Sequence, residues 1–173
     1  MAKASRVDLS IAEGLARAAV PRRADFARFV AAALEQANAT GTVSLRIAGE
    51  AEMRDLNERF RGKPKPTNVL SFGAQAGATR DAIGDDLLGD VVLCAPVVAS
   101  EARAQRKSVR DHYAHLCVHG VLHLLGYDHE AAGEAERMEA TEVAALARLG
   151  IADPYRSAAR RRRAVDAPSE EVE

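Results

Sequence analysis

The sequence predicts an α+β fold (mixed α/β), in which a four-stranded sheet packs with helices around one buried helix. Three observations support this prediction. Short segments in which apolar residues alternate with polar ones, or run together, are typical of strands. Longer segments with apolar residues three and four positions apart are typical of helices. One of these, residues 111–125, is apolar nearly all round, which is typical of a helix inside the core.

Each element is predicted from its own residues. The predicted strands are residues 6–12, 43–48, 69–72 and 87–94. The predicted helices are residues 22–37, 50–60, 96–107, 111–125 and 135–149. Pro96 suits the first turn of its helix, because the N–H that proline lacks has no helical partner there. Gly150 is expected to end the last helix. Residues 73–86, which are rich in glycine, alanine and aspartate, predict a long connection.

Length and composition indicate one globular domain. The chain has 173 residues, of which 47% are hydrophobic and 28% are charged, as in ordinary soluble domains. We expect a single domain over residues 1–156. Residues 157–173 are rich in arginine and then glutamate, and we expect a disordered charged tail there. The formal net charge of −1 excludes a globally basic protein, so a polyanion would have to bind a local basic patch.

No segment predicts export or membrane insertion. The N-terminus lacks the apolar stretch of a secretory signal, and no run approaches the ~18 apolar residues of a membrane span. Cys94 and Cys117 lie in apolar segments, where buried reduced thiols are the expected state. We therefore expect a cytoplasmic protein without a membrane partner.

Three histidines within one short stretch predict a metal site. His119, His123 and His129 have the spacing H-x3-H-x5-H, and Gly126 follows the second of them. Residues four apart lie on one face of a helix, and a glycine lets the chain turn back after the helix ends. The three imidazoles can therefore converge on one ion. Three neutral imidazoles with an open fourth position are typical of catalytic zinc.

His115 offers an alternative ligand pair, because it precedes His119 by four residues. A helix rises ~12 Å over eight residues, so His115, His119 and His123 cannot all bind the same ion. One adjacent pair must bind, and the third ligand must come from elsewhere. His129 supplies it if the pair is His119 and His123. His115 is then expected to be a hydrogen-bonded neighbour of the site, and His112 a solvated residue of the first helical turn.

One position separates this stretch from zinc peptidases. The histidine and glycine spacing matches the H-E-x-x-H-x-x-G-x-x-H motif of metzincins, so a zincin-like metal-bearing helix is expected. Where those peptidases carry their general-base glutamate, this chain has Gly120. A metallopeptidase is therefore the least favoured of the functions that the histidines allow. Asp128, beside His129, is a candidate carboxylate partner of the metal ligands and is alternatively a turn residue. Asp90 lies in an apolar strand and is expected to have a partner, such as a histidine N–H. Asp90, Asp128 and a zinc-bound hydroxide are the open candidates for the general base.

Several blocks of the sequence resemble the YbeY family of bacterial endoribonucleases and rRNA maturation factors. Residues 119–129 resemble the family's histidine motif. Residues 56–72 match its pattern L-N-x-x-[YF]-R-G-K-x-x-P-T-[DN]-V-L-S-F throughout. Residues 88–92 resemble its L-G-D-[IV]-[VI] strand, and residues 149–155 resemble its ending. The resemblance covers residues 7–155 in matching order.

The resemblance implies a zinc-dependent, single-strand-specific endoribonuclease. It implies action in rRNA maturation, at the 3′ end of the 16S rRNA, and in ribosome quality control. The implied partners are RNA and the small ribosomal subunit with its proteins, and no organic cofactor is expected. His119, His123 and His129 fall on the family's metal ligands for one Zn²⁺ ion, and Arg61 falls on its functional arginine. These four residues are the expected catalytic set.

A basic loop next to Arg61 is the expected RNA-binding segment. The guanidinium of Arg61 carries a permanent charge on a planar fork that suits phosphate oxygens. Arg59, Lys63 and Lys65 add positive charge around a proline-stiffened loop and are expected to bind RNA phosphates with it. A solvated surface loop is the alternative interpretation of these residues.

Two further alternatives stay open. Thr67, Asn68 and Ser71 flank the third strand, where they either orient the substrate or only hydrogen-bond the strand end. The protein itself is either a nuclease or a non-catalytic assembly factor of the small subunit in which zinc is structural.

Overall fold

The strands and helices of the chain match the predicted fold class. The computed structural model describes residues 6–74, 86–128 and 130–156. Its strands are β1 (Arg6–Ile11), β2 (Thr42–Ala48), β3 (Val69–Gly73) and β4 (Leu87–Cys94). Its α-helices are α1 (Arg23–Gln36), α2 (Glu50–Arg61), α3 (Ala95–Ala104), α4 (Val109–Leu124) and α5 (Ala132–Arg148). The described residues therefore form a mixed α/β fold with a four-stranded sheet, as predicted.

The ends of the elements differ from the prediction by at most a few residues. Helix α4 begins at Val109, because Ser108 caps it and its hydroxyl accepts a hydrogen bond from the Asp111 N–H at 3.1 Å. A short 3₁₀ helix at Arg17–Ala19 was not predicted, since a single turn carries no hydrophobic period. Residues 75–85 and 157–173, which contain most of the predicted connection and the predicted tail, lie outside the described residues.

The sheet combines parallel and antiparallel pairing. Its strand order is β1-β2-β4-β3. Strands β1, β2 and β4 are parallel, and helix α1 provides the crossover that parallel neighbours such as β1 and β2 require. Strand β3 is antiparallel to β4 at the edge of the sheet, with Val69 opposite Leu93 and Gly73 opposite Gly89. Strand β4, in which most residues are buried, therefore separates the edge strand from the parallel part of the sheet.

Helices cover both faces of the sheet. Helices α1, α4 and α5 pack together over one face, where Phe26 makes edge-to-face contacts with Phe29 and Tyr113 at centroid distances of 5.8 and 5.7 Å. Helix α2 brings Met53 to the opposite face, over a smaller apolar cluster. Helix α4 also contacts α3, β3 and β4, so it is enclosed on most sides, as its apolar sequence predicted. The helix that carries the histidines is thus part of the core.

Both cysteines lie in the core, as predicted. Cys94 and Cys117 are buried and free. Burial raises the pKa of both thiols, and it raises that of Cys117 to about 12. The two thiols are therefore protonated and unreactive at neutral pH.

Membrane insertion finds no support in the described part of the chain. None of the helices in residues 6–74, 86–128 and 130–156 combines the length and apolar character needed to cross a bilayer.

Candidate active site and metal centre

Helix α4 places His119 and His123 one turn apart on the same face. Their Nε2 atoms are 3.1 Å apart. Two nitrogens that each bind zinc at ~2.0–2.1 Å in a tetrahedral site lie ~3.3–3.4 Å from each other. The two imidazoles therefore converge as a metal-binding pair should. Of the two adjacent pairs that the sequence allowed, this one has the required geometry.

The end of α4 has the turn that the sequence predicted at Gly126. The glycine has a φ of 93°, in the left-handed region that other residues rarely adopt. The N–H of Tyr127 donates to the carbonyl of Leu122 at 3.1 Å, which closes the end of the helix. His129 lies outside the described residues, so its role as the third ligand stays a prediction.

A buried carboxylate that the sequence analysis missed lies behind the histidines. Glu142 of α5 is fully buried and accepts hydrogen bonds from His119 Nδ1, from His115 Nε2 at 3.3 Å and from the Tyr155 hydroxyl. Burial alone would raise the pKa of Glu142. The hydrogen bonds from His115 and His119, the electrostatic interaction with His119 and the hydrogen bond from Tyr155 together outweigh burial and lower the pKa of Glu142 to about 2. Glu142 is therefore ionised at neutral pH.

The position of Glu142 in the sequence was a usable signal. It lies four residues after Met138 and four before Leu146, both of which are buried. An acidic residue in the middle of an apolar helix stripe must have a partner, because burying an unpaired carboxylate is too costly. The apolar residues of α5 were recognised, but the acidic one between them was not.

His115 behaves as predicted, whereas the prediction for His112 was wrong. The Nε2 atom of His115 faces Glu142 and is also 3.3 Å from the Tyr155 hydroxyl, so His115 is a hydrogen-bonded neighbour of the site. His112 is 2% exposed rather than solvated, because α3 packs against the first turn of α4. Its Nε2 atom lies 3.2 Å from a carboxylate oxygen of Glu101. Burial lowers the pKa of His112 although Glu101 opposes the shift.

A cavity of about 510 Å³ brings Arg61 together with His119 and His123. Arg61 is the last residue of α2, and Gly62, with a φ of 68°, turns the chain away immediately after it. The rest of the described lining comes from β3 with the two residues before it, and from the end of α4 with the segment after it: Thr67, Asn68, Val69, Leu70, Ser71, Gly73, Leu124, Asp128 and Glu130. The fold therefore assembles the predicted arginine and two of the predicted histidines around one space.

The other basic residues of the predicted RNA-binding set lie outside this cavity lining. Arg59, Lys63 and Lys65 are exposed. Asn57 of α2 anchors their loop: its side chain is buried, and its Nδ2 atom donates to the Lys65 carbonyl at 2.8 Å. The loop therefore has a fixed connection to α2, and the binding of RNA by these cations stays a prediction.

Gly120 faces the sheet at close range. A Cβ atom there would lie 2.7 Å from Val91 Cγ1 and 3.1 Å from Ser71 Oγ. The hydroxyl of Ser71 donates to the Gly120 carbonyl at 3.0 Å. Any side chain at this position would require α4 or its neighbours in the sheet to shift, so the close packing of the helix on the sheet suits glycine.

The polar residues that flank β3 make hydrogen bonds within the fold and also line the cavity. Asn68 donates from Nδ2 to Glu101 at 2.9 Å, and Ser71 holds the Gly120 carbonyl. Asp128 accepts from the Glu130 N–H at 3.2 Å, as a turn residue does, and lines the same cavity. Asp90, the other candidate general base, lies in β4 and is absent from the cavity lining that the described residues form.

Comparison with known proteins assigns the chain to a family. The model of the family described as Endoribonuclease YbeY matches residues 17–150. The chain belongs to the endoribonuclease YbeY family. The matched segment contains Arg61, His119, His123 and His129, so the resemblance that the motifs indicated is confirmed.

Individual YbeY relatives are similar over most of their length. The chain is 56% identical over 142 residues to Endoribonuclease YbeY of Alkalilimnicola ehrlichii, which covers 81% of this chain and 85% of the relative. It is 50% identical to Endoribonuclease YbeY of Laribacter hongkongensis, covering 86% and 89% respectively. The solution structure of TM1509 from Thermotoga maritima is 20% identical with a TM-score of 0.50, covering 96% of this chain and 99% of that one. This last likeness supports the fold.

Proposed function

We propose that this YbeY-family protein is a zinc-dependent endoribonuclease that cleaves single-stranded RNA. The observation that carries the proposal is the cavity that Arg61 shares with the convergent imidazoles of His119 and His123. The name of the relatives, Endoribonuclease YbeY, supports RNA as the substrate.

The donor set fits zinc. Imidazole nitrogens are preferred zinc ligands, and the 3.1 Å separation of the two Nε2 atoms suits a shared ion. His119 and His123 would hold the ion with His129 as the third ligand. A zinc ion held there would supply Lewis-acid chemistry, which lowers the pKa of water to near neutral and offsets negative charge on a phosphate oxygen.

Arg61 acts on the phosphate of the scissile bond. Hydrolysis of a phosphodiester places additional negative charge on the non-bridging oxygens in the transition state. The Arg61 guanidinium is always charged and can donate two parallel hydrogen bonds to such oxygens. Because it lines the same cavity as the two histidines, it can bind the phosphate while the histidine side faces the nucleophile.

The cavity favours a flexible strand over a duplex. Its volume of about 510 Å³ is in the range of small-molecule sites, which suits the entry of part of a flexible single strand better than that of a rigid duplex. Arg59, Lys63 and Lys65 are exposed beside Arg61, where they bind the phosphates that flank the cleaved bond.

The proposal extends to ribosomal RNA. The motif resemblance implies maturation of the 3′ end of the 16S rRNA and ribosome quality control, with the small subunit and its proteins as partners, in the cytoplasm. A chain with a net charge of −1 has little general attraction for RNA, so a partner on the subunit would select the cleavage site.

Cleavage of a single-stranded RNA oligonucleotide by zinc-loaded protein tests the proposal. Arg61→Ala should lower kcat about 10²–10³-fold, as the loss of a transition-state donor does elsewhere, and His119→Ala should abolish both zinc binding and cleavage. Arg54→Ala is the matched control, because Arg54 is exposed on the same helix and is not a cavity residue. Cleavage by Arg61→Ala at the wild-type rate would exclude this cavity as the nuclease site. Zinc-dependent stability without any cleavage would favour the assembly factor.

A further inference from the structure

We propose that Glu142 is a positioning residue that holds the imidazole of His119 in the orientation and tautomer needed for metal binding. The inference rests on the proposed zinc site. Glu142 is not a catalytic residue, because it is fully buried behind the histidines and contributes nothing to the cavity lining.

The contacts of His119 determine which of its two ring nitrogens carries the proton. Its Nδ1 atom is hydrogen-bonded to Glu142, and its Nε2 atom faces the Nε2 atom of His123 at 3.1 Å. A carboxylate accepts hydrogen bonds and donates none, so the proton of the neutral ring must be on Nδ1. The lone pair of Nε2 is then directed away from Glu142, toward the point where the two rings converge.

Glu142 is itself held in place by other residues. Its second carboxylate oxygen accepts from His115 Nε2 at 3.3 Å and from the Tyr155 hydroxyl. Tyr155 is fixed in turn, because its N–H donates to a carboxylate oxygen of Asp153 at 2.8 Å. Side chains from α4 and from the segment after α5 therefore prevent the carboxylate from rotating. His115 and Tyr155 therefore support the proposed zinc site indirectly, by holding Glu142 in place.

A positioning role and a purely structural role differ in what they predict. Loss of a carboxylate that orients a metal-binding histidine typically weakens metal affinity 10–100-fold. A carboxylate that only satisfies buried donors would lower the stability of the metal-free protein and leave zinc affinity unchanged. Zinc affinity and the melting temperature of the metal-free chain therefore have to be measured separately.

Competition with a chromogenic chelator gives the zinc dissociation constant of the full-length variants. Glu142→Gln keeps the size of the side chain and should weaken zinc binding about 10–100-fold. Glu139→Gln is the matched control, because Glu139 lies on the same helix and is exposed, and it should leave the dissociation constant unchanged. Tyr155→Phe removes one donor to Glu142 without touching His119, and it should give a smaller loss in the same direction.

These measurements distinguish failure of the positioning role from failure of the proposed zinc site. A dissociation constant for Glu142→Gln within twofold of that of the wild type overturns the positioning role, while the zinc site itself stands. If Glu142→Gln does not fold, unchanged zinc affinity in Tyr155→Phe overturns it instead. If neither the wild type nor Glu139→Gln binds zinc, the proposed function fails, and the positioning role fails with it.

Discussion

Replacing Gly120 with alanine should destabilise the protein, although alanine is the better helix former. The new Cβ atom would lie 2.7 Å from Val91 Cγ1, 3.1 Å from Ser71 Oγ and 3.3 Å from Val69 Cγ2. Val91 is β-branched and fully buried in β4, so its side chain has little freedom to move aside. Either α4 or the strand must shift to accept one methyl group.

The size of the effect follows from two opposing terms. The change from glycine to alanine inside a helix favours the folded state by about 1 kcal/mol. Forcing a methyl group into a closely packed core costs about 1–3 kcal/mol. Gly133 near the start of α5 provides the comparison, because a Cβ atom there would meet nothing within 4 Å. Gly133→Ala should therefore stabilise the protein by up to about 1 kcal/mol.

Urea unfolding followed by circular dichroism measures both variants. Both substitutions change glycine to alanine in a helix, so most of the helix-propensity term cancels when their unfolding free energies are subtracted. The difference that remains is the packing cost at Gly120, which we expect to be about 2 kcal/mol. For a chain of this size that corresponds to a difference of about 4–8 °C in Tm. Zinc affinity should also fall in Gly120→Ala, since α4 carries the proposed ligands His119 and His123. If both alanine variants were equally stabilised, the close contact between α4 and the sheet would be refuted.

Three other perturbations give separate tests. Chelation of zinc should lower Tm in thermal scans, because a ligand at 100 times its Kd stabilises the folded state by about 2.7 kcal/mol; an unchanged Tm would argue against a bound ion. Asp25 accepts hydrogen bonds from the Arg22 N–H and the Arg110 guanidinium, which outweigh burial and lower its pKa. Its stabilisation is therefore complete above the unfolded pKa of about 4 and is lost as the pH falls below it. Asp25→Asn should cost about 1 kcal/mol at pH 7 and less at pH 3 in urea titrations, because it weakens hydrogen bonds that the carboxylate accepts. Replacing Lys63 and Lys65 with glutamine should reduce the slope of log binding constant against log salt by about 0.7 for each RNA phosphate that these lysines neutralise; an unchanged slope would place the RNA elsewhere.

The helices and strands could be predicted because their signals are local. A hydrophobic period of two or of 3.6 residues is present within each segment, and Gly126 and Gly150 mark helix ends by their conformational freedom. The order and direction of the strands could not be predicted in the same way. The antiparallel pairing of β3 with β4 joins segments on either side of residues 75–85, and no pattern inside either strand encodes it.

The difference between patterns within one element and contacts between elements also explains which site residues could be predicted. His119 and His123 lie four residues apart, so their convergence follows from helix geometry alone. Glu142 comes from another helix, and only its position in an apolar stripe indicated that it needed a partner. His112 was expected to be solvated because it lies in a first helical turn, but the packing of α3 decides its burial. Contacts between elements, rather than patterns within them, account for both errors.

The closeness of α4 to the sheet has a consequence for how this site can change. One part of the cavity lining belongs to α4, whose backbone contacts side chains of the β-strands. The orientation of the two histidines therefore cannot change unless the interior repacks. Another part ends in Arg61 and continues into an exposed loop, which Asn57 anchors through its side-chain amide and its backbone carbonyl. Substitutions in that loop can alter which RNA is accepted at little cost in stability. The packing of α4 thus fixes the position of the histidines, while substitutions in the exposed loop can change which RNA sequences bind.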